Sequence, residues 1–410
     1  MSNVQAAATL AEAVVPAPET ATVSVEQFHT SGVATISAGH AVHDTYTGFL
    51  GPLLPKFIET LALTKAEAGL LTVFMQWPAL FQPFLGHLAD QVSLRPFFVM
   101  APTVTAVAMS LLGVAPSYAV LAMLLVVTGF SSASLHAAGP AVIGNLAGRR
   151  LGRGMGFWMV GGELGRTLGP LTIVTTVQLI GLKGTPWLMI AGPITSLLLY
   201  LQLRNVSDVV TRSSASLPFR RVMHRMGPLL LPLTGVVTAR AFLAAGLSTY
   251  LPILMTERGA SLWLAGASLT VFEAAGVVGA LLGGTLSDRL GRRAILLFST
   301  ATASVAVFLF INASGWLQFP LLLLLGFTVL STMPVFMALM QESFPDNRAL
   351  ATGIFLALSF IIRSIVVVVL GAVADGHGMR AAFVISGLAS FAGLPLIFLL
   401  PGRKTGHVEG

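Results

Sequence analysis

The sequence predicts an all-α membrane protein in which twelve transmembrane helices form two pseudo-symmetric six-helix bundles. Three observations lead there. Of 410 residues, 55% are hydrophobic and only 10% charged, whereas a soluble domain carries about a quarter charged residues. Long, unbroken apolar runs recur along the chain, where a transmembrane barrel would show alternating segments of about ten residues. Residues of the first half also return in the second at a nearly constant offset.

Residues 1–28 are rich in Ala, Pro, Thr and Glu and hold no Lys or Arg. They fit neither a basic-then-apolar signal peptide nor a folded unit, and are expected to be a flexible cytoplasmic tail. Apolar stretches follow at about 31–55, 67–89, 96–115, 118–146, 154–180, 184–203, 228–255, 261–286, 294–313, 317–343, 350–374 and 381–400. A hydrocarbon core of ~30 Å needs about 20 residues per helix, so twelve spans use roughly 240 and leave no room for a large extramembrane domain. The longest polar interruption, residues 204–226, includes Asp208, Arg212, Arg220, Arg221 and Arg225. It is expected to be a cytoplasmic linker between bundles at 29–203 and 227–401, with 402–410 as a second cytoplasmic tail.

Cytoplasmic loops are enriched in Lys and Arg. With the N-terminus inside, fifteen cations fall on the inner side, among them Arg95, Arg149, Arg150, Arg153 and Arg292, and five outside, Lys56, Lys65, Lys183, Arg258 and Arg380. The net charge of +7 is thereby explained by topology and by attraction to anionic lipid, and nucleic acid is excluded as a partner. The expected location is the inner cell membrane, with both termini cytoplasmic and the chain monomeric. The chain has no Cys, hence no disulfide framework or thiolate chemistry.

Internal repetition links the halves. Thr72-Val73-Phe74 returns as Thr270-Val271-Phe272, and Gly86-His87-Leu88-Ala89-Asp90 as Gly284-Thr285-Leu286-Ser287-Asp288, at an offset of 198. Leu54-Pro55 returns as Leu251-Pro252 and Arg166 as Arg363 at 197. Parallel repeats of six helices are a secondary-transporter architecture with the substrate site near the midplane between them.

The segment Gly284 through Arg293, with Asp288, Arg289, Gly291 and Arg292, closely resembles the loop motif of the major facilitator superfamily. Its counterpart, Gly86 through Arg95, keeps Gly86 and Asp90 but has Gln91 and Ser93 where that family usually has a cation and a glycine. The resemblance implies a conformational latch of Gly86, Asp90, Arg95, Gly284, Asp288, Arg289, Arg292 and Arg293. Physically, carboxylates at helix ends can engage a neighbouring helix terminus or an Arg. Ser37-Ala38-Gly39-His40 with Asp44, Gln82-Pro83 before Gly86, His136, and Val160 to Gly165 resemble the fosmidomycin-resistance branch of efflux proteins. Gly156, Gly165 and Gly169-Pro170 are similar to the drug/proton antiporter glycine motif, although Ile173 and Val174 replace its final glycine pair. Independently of any family, Gly161, Gly165 and Gly169 recur every fourth residue and flatten one helix face for close backbone approach.

Charges at membrane depth cost about 2.5–3.5 kcal/mol on insertion scales and normally face a partner or a wet cavity. At ~1.5 Å per residue, Asp44, Glu163, Arg166, Arg240, Glu273 and Arg363 lie roughly 15–20 Å from the helix ends. His40 and Asp44, four apart, share a helix face with His43 beside it. A buried carboxylate beside a histidine, which titrates near neutrality, suits a proton carrier. Asp44, His40, Glu163 and Glu273 are therefore the expected proton-coupling residues.

Arg166, Arg240 and Arg363, with His43 and His136, are the expected substrate contacts, because guanidinium groups bind carboxylate or phosphate in bidentate fashion. Two alternatives stay open for these groups: Glu163–Arg166 as a structural pair on one helix, and Arg240–Glu273 as a pair between consecutive helices. A third arrangement, a cavity for lipophilic cations, would use Glu273 with Phe272, Trp77 and Trp158.

There is no G-x-x-x-x-G-K-[ST] phosphate loop and no H-E-x-x-H motif, and the histidines are scattered among helices. No ATP-driven step, metal or cofactor is expected, and no set of nucleophile and base argues for an enzyme. The function expected is proton-coupled antiport exporting a small organic molecule, anionic or amphiphilic, by alternating access. Proton-symport uptake of an organic anion is the alternative, and a non-transporting receptor the reading from another class.

Overall fold

The computed structural model describes residues 28–81, 84, 95–147, 150–204, 219–344 and 348–401. Expectations for the two tails, for most of the linker, and for Gly86 and Asp90 lie outside these residues. Sixteen α-helices run in the order α1 Thr30–Thr47, α2 Leu50–Leu61, α3 Lys65–Gln76, α4 Arg95–Ser110, α5 Tyr118–Ala147, α6 Leu151–Ile180, α7 Ala191–Leu203 and α8 Phe219–Ala245, followed by α9 Leu251–Glu257, α10 Leu262–Leu290, α11 Arg292–Asn312, α12 Gln318–Leu330, α13 Thr332–Ser343, α14 Arg348–His377, α15 Met379–Ala392 and α16 Leu394–Ile397. No strand occurs among the described residues.

Each of the twelve apolar stretches contains helix, and nine helices among the described residues are long and apolar enough to cross a membrane. The stretches short of that measure include α1, with His40, His43 and Asp44, and α6, with Glu163 and Arg166. The same polar groups that lower their hydropathy build the site described below. Helix α8 begins at Phe219, inside the stretch read as linker. Residues 219–226 include three Arg and two Met with no Gly or Pro, a composition of good helix formers that carries the span into the polar segment.

Several stretches are rods of two pieces, and proline explains two of the breaks. Pro52 has no N–H for the carbonyl four residues back, at Gly48, and α1 gives way to α2 across Gly48–Phe49. In the other half Pro252 cannot serve Ser248, and the wide-turn segment Gly246–Tyr250 joins α8 to α9. Such a segment rotates the side chains before it relative to those after it, and it carries Ser248 and Tyr250.

In lipid, apolar surface alone does not hold helices together, so small residues that allow close backbone approach decide packing. Gly161, Gly165 and Gly169 of α6 lie directly against the carbonyl oxygens of Ser37, Ala41 and Thr45 of α1. Both series step by four residues, so the two helices stay in register along their length. Gly156 has open space around it and plays no part in this seam, while Pro170 is buried and packs near Gly48. The halves repeat such contacts: Gly129 of α5 abuts the Met75 carbonyl of α3, and Gly326 of α12 abuts the Phe272 carbonyl of α10.

Polar contacts between the halves gather at the end where α3 begins. The Asp375 carboxylate of α14 accepts from the backbone N–H groups of Lys65 (2.7 Å) and Ala66 (3.0 Å) at the N-terminus of α3. That position also places it at the positive end of the helix dipole. Lys65 Nζ pairs with Glu257 of α9 at 2.8 Å. The Tyr250 hydroxyl donates to the carbonyls of Val367 (2.7 Å) and Lys65 (3.3 Å), and Gly69 and Gly371 leave room for it. This end is sealed by side chains from α3, α9 and α14 and from the wide-turn segment.

Candidate functional site

The first cluster stands on α1, α5 and α6. The Asp44 side chain is 7% exposed. Its Oδ1 accepts from His43 Nδ1 at 2.9 Å, and its Oδ2 lies 3.3 Å from His40 Nε2 and 3.9 Å from His136 Nε2. His40 and His136, 96 residues apart, bring their Nε2 atoms to 3.2 Å. These histidines, scattered in the sequence, therefore converge on one carboxylate. His40 is further held by its Nδ1, 2.9 Å from the Trp158 carbonyl, and by stacking on the Trp158 indole, with ring centroids 3.7 Å apart. His136 Nδ1 lies 2.8 Å from the Ser132 carbonyl. The seam of α1 on α6 explains the tight fit: the hydrogen of Gly162 faces His40 and Asp44, where a larger side chain would intrude.

His43 is fully buried, with its Nε2 unpartnered among the described residues. It orients Asp44 and does not reach open space, so it does not stand where a substrate contact must. His136 is 34% exposed and reaches open space.

The second cluster spans both halves. Glu163 and Arg166 form the expected pair within α6. Arg166 is 49% exposed, although it lies near the middle of its helix, and it interacts electrostatically with Glu163, Glu273 and Asp44. Glu273 of α10 in turn interacts with Arg166, Glu163 and Arg363. Arg363 of α14 donates to Ser248 Oγ at 2.7 Å, and its Nε is buried without a partner among the described residues. Two carboxylates and two guanidiniums from three helices of opposite halves thus interact electrostatically.

Arg240 does not join them. Its guanidinium is buried inside the second half, donating to Thr300 Oγ1 at 2.8 Å and to the Val329 carbonyl at 2.7 Å. It neither pairs with Glu273 nor faces Arg166 and Arg363, because α8 turns it toward α11 and α12. Of the aromatics of the expected cation cavity, Phe272 and Trp158 are buried, and Trp77 packs edge-on against Phe81 and Phe130 of the first half.

At the end opposite the Lys65 seal, Asp288 pairs with Arg292 at 2.6 Å, and Arg292 pairs with Glu342 of α13 at 2.6 Å. Arg292 also meets Ser287, and Arg293 Nε donates to the Leu400 carbonyl at 2.5 Å. This network ties α10, α11, α13 and the segment that follows α16 within the second half. Gly284 lies beside Pro334, and Arg95 and Arg289 also make interactions.

Gly162 entered the sequence reading only within the Val160 to Gly165 resemblance, and Ser132, Ser248, Tyr250, Asp375 and Glu257 were passed over. Ser132 carried a signal, since it lies four residues before His136 on one face. The others act through contacts between distant helices and had none.

Comparison with known proteins agrees with this geometry. The profile of the Major Facilitator Superfamily matches residues 36–345 and, again, 233–409. The chain is 23% identical to the fosmidomycin resistance protein of Escherichia coli K12 over 382 residues, 90% of this chain and 93% of that protein. It is 25% identical to the class G tetracycline resistance protein of Vibrio anguillarum over 326 residues, 73% of this chain and 79% of that one. Among solved structures, a bacterial homologue of the human lysosomal transporter Spinster, inward-facing and unoccupied, superposes with a TM-score of 0.77 at 15% identity, covering 91% of this chain and 96% of that one. With the family profile matched across most of its length, and with a transporter fold around its buried charges, the chain is a multi-pass membrane transporter that belongs to the Major Facilitator Superfamily.

Proposed function

We propose that this transporter is a proton-coupled antiporter that exports a small anionic or amphiphilic organic compound by alternating access. The observation that carries the reading is the charge cluster shared by the halves, Glu163–Arg166 facing Glu273 and Arg363, with Asp44 and its histidines beside it. An amphiphilic cargo entering this space would meet Arg166 and Arg363 with its anionic part and donate hydrogen bonds to the ionised Glu163 and Glu273. A proton taken up by either carboxylate removes that acceptor. Cargo and proton would then exclude one another on the same carboxylates, as antiport requires.

The Lys65–Asp375 seal supports a state closed at that end, with the interior reached from the side that carries the termini. We take that side as cytoplasmic on the distribution of Lys and Arg, in the inner membrane. Two relatives carry resistance in their names, which favours export over uptake.

The test is reconstitution into proteoliposomes with an imposed pH gradient. Asp44→Asn is expected to abolish gradient-driven flux while the variant remains folded and retains cargo binding. Undiminished flux in that variant would remove Asp44 from the mechanism. In inside-out vesicles, cargo accumulation driven by an acidic lumen supports antiport; accumulation driven by an acidic exterior would establish symport.

A further inference from the structure

Protons are not the only cations that the cluster on α1 and α5 suits. Hydrogen bonding assigns the tautomers of both histidines. A backbone carbonyl only accepts, so His40 Nδ1, 2.9 Å from the Trp158 oxygen, carries hydrogen, and so does His136 Nδ1, 2.8 Å from the Ser132 oxygen. In the neutral rings both Nε2 atoms are then bare lone pairs. They point at one another across 3.2 Å. Asp44 Oδ2, whose sister oxygen is occupied by His43, stands 3.3 Å and 3.9 Å from them. Three acceptors converge with no donor between them, an arrangement that repels unless a cation sits at its centre.

The spacing selects the kind of cation. Bond lengths of about 2.0–2.2 Å to nitrogen and oxygen, arranged tetrahedrally, place ligand atoms about 3.3–3.6 Å apart. The three separations seen here bracket that range. Two imidazoles and one carboxylate favour zinc, cobalt, nickel or copper over magnesium and calcium, which prefer all-oxygen sets. Both histidines donate a hydrogen bond from their second nitrogen's N–H to a backbone carbonyl, the outer contact that orients metal-binding imidazoles. Stacking on Trp158 fixes the His40 ring as well.

A metal site also needs an open position. A Cβ on Gly162 would stand 2.8 Å from His40 Nε2 and 3.1 Å from Asp44 Oδ2, so glycine keeps that side of the ligand atoms clear. The partial exposure of His136 leaves a way in.

We propose that His40, His136 and Asp44 form a binding site for a divalent first-row transition-metal ion, with a fourth position open on the Gly162 side. The proposal does not depend on the cargo or on the direction of transport.

The experiment uses the full-length protein purified in detergent and stripped of metal by chelator, with Co2+ and Zn2+ as probes and no membrane gradient. Expected are saturable binding of one ion per chain and a visible Co2+ absorption of the intense, tetrahedral type. His136→Gln and His40→Gln should weaken binding by about tenfold or more, and Gly162→Ala should weaken it by filling the open side. His377→Ala, a surface histidine on α14, should bind as the parent does. Absence of saturable binding to the parent protein overturns the proposal whatever the variants do. Binding that persists unchanged in correctly folded His136→Gln and His40→Gln overturns it too. Proton-driven flux measured in chelator-containing buffer tests the antiport reading separately, so either can fail alone.

Discussion

The two halves share a packing plan and differ in their chemistry. At an offset of 197, the positions equivalent to His40, Asp44, His136 and Glu163 are Val237, Ala241, Met333 and Phe360, while Arg166 keeps its arginine as Arg363. The first half thus carries a titratable cluster and a paired arginine. The second carries an arginine whose electrostatic partner, Glu273, comes from another helix and interacts with both arginines. The halves share the Gly129/Gly326 contact and the helix breaks, although the Gly161–Gly165–Gly169 seam has Leu358, Ile362 and Val366 at its equivalent positions; close backbone contact is what holds helices together in lipid. Ionisable groups are costly there, and they were kept where they have a partner. The comparison teaches that the titratable cluster belongs to one half, while the shared counter-charge Glu273 links the arginines of both.

The sharpest way to break this contrast is Asp44→Asn, expected to bring pH-driven exchange in proteoliposomes down to the level of protein-free vesicles. The corresponding change in the second half, Ala241→Asn, should leave coupling in place.

Next in size is the seam that positions the cluster. Gly165 abuts the Ala41 carbonyl, so Gly165→Ala should destabilise the protein by about 1–3 kcal/mol through overpacking, read as a lowered melting temperature in detergent. Gly156→Ala, with open space around the position, should change stability by no more than about 0.5 kcal/mol. Equal effects would show that the every-fourth-residue register does not govern the contact.

Coupling between the halves is measurable by a double-mutant cycle. Glu273→Gln and Arg363→Gln should each lower stability, and together should cost less than the sum, with an interaction of about 0.5–3 kcal/mol. Additive losses would separate Arg363 from Glu273 and weaken the shared counter-charge.

The smallest expected effect concerns the sealed end. Asp375→Asn removes a charge from the N-terminus of α3, worth about 0.3–1 kcal/mol. The chain has no Cys of its own, so a single cysteine placed at Ser248, beneath the seal, reports opening. Its labelling by an impermeant thiol reagent added on the Lys65 side should quicken a few-fold in the Asp375→Asn background. Unchanged labelling would mean that Tyr250 and Glu257 hold the end without it.

Much of this was legible in the linear chain. Long apolar runs, the repeat and the loop motif at Gly284 to Arg293 led to the fold, because a span in lipid must satisfy its own backbone and so announces itself in composition. Asp44 and His40, four apart, and Glu163 and Arg166, three apart, were legible as pairs because helical periodicity sets neighbours on one face. Arg240 read as a cavity residue because depth along a helix is written in sequence but the direction around it is not. In an all-apolar helix, no polar stripe marks which side faces the partner half.

The chain alone therefore determined the solvent it lives in, the number of its apolar stretches, their pairing into two related halves, and which charges lie at membrane depth. Only the folded molecule decided that His136 meets His40 and Asp44, that Glu273 interacts with two arginines from opposite halves, that Arg240 turns inward, and that Asp375 caps α3. The physical reason is range: hydropathy and helical period act over a few turns of one segment, whereas these contacts join segments up to 310 residues apart and depend on how each helix is rotated against its neighbours.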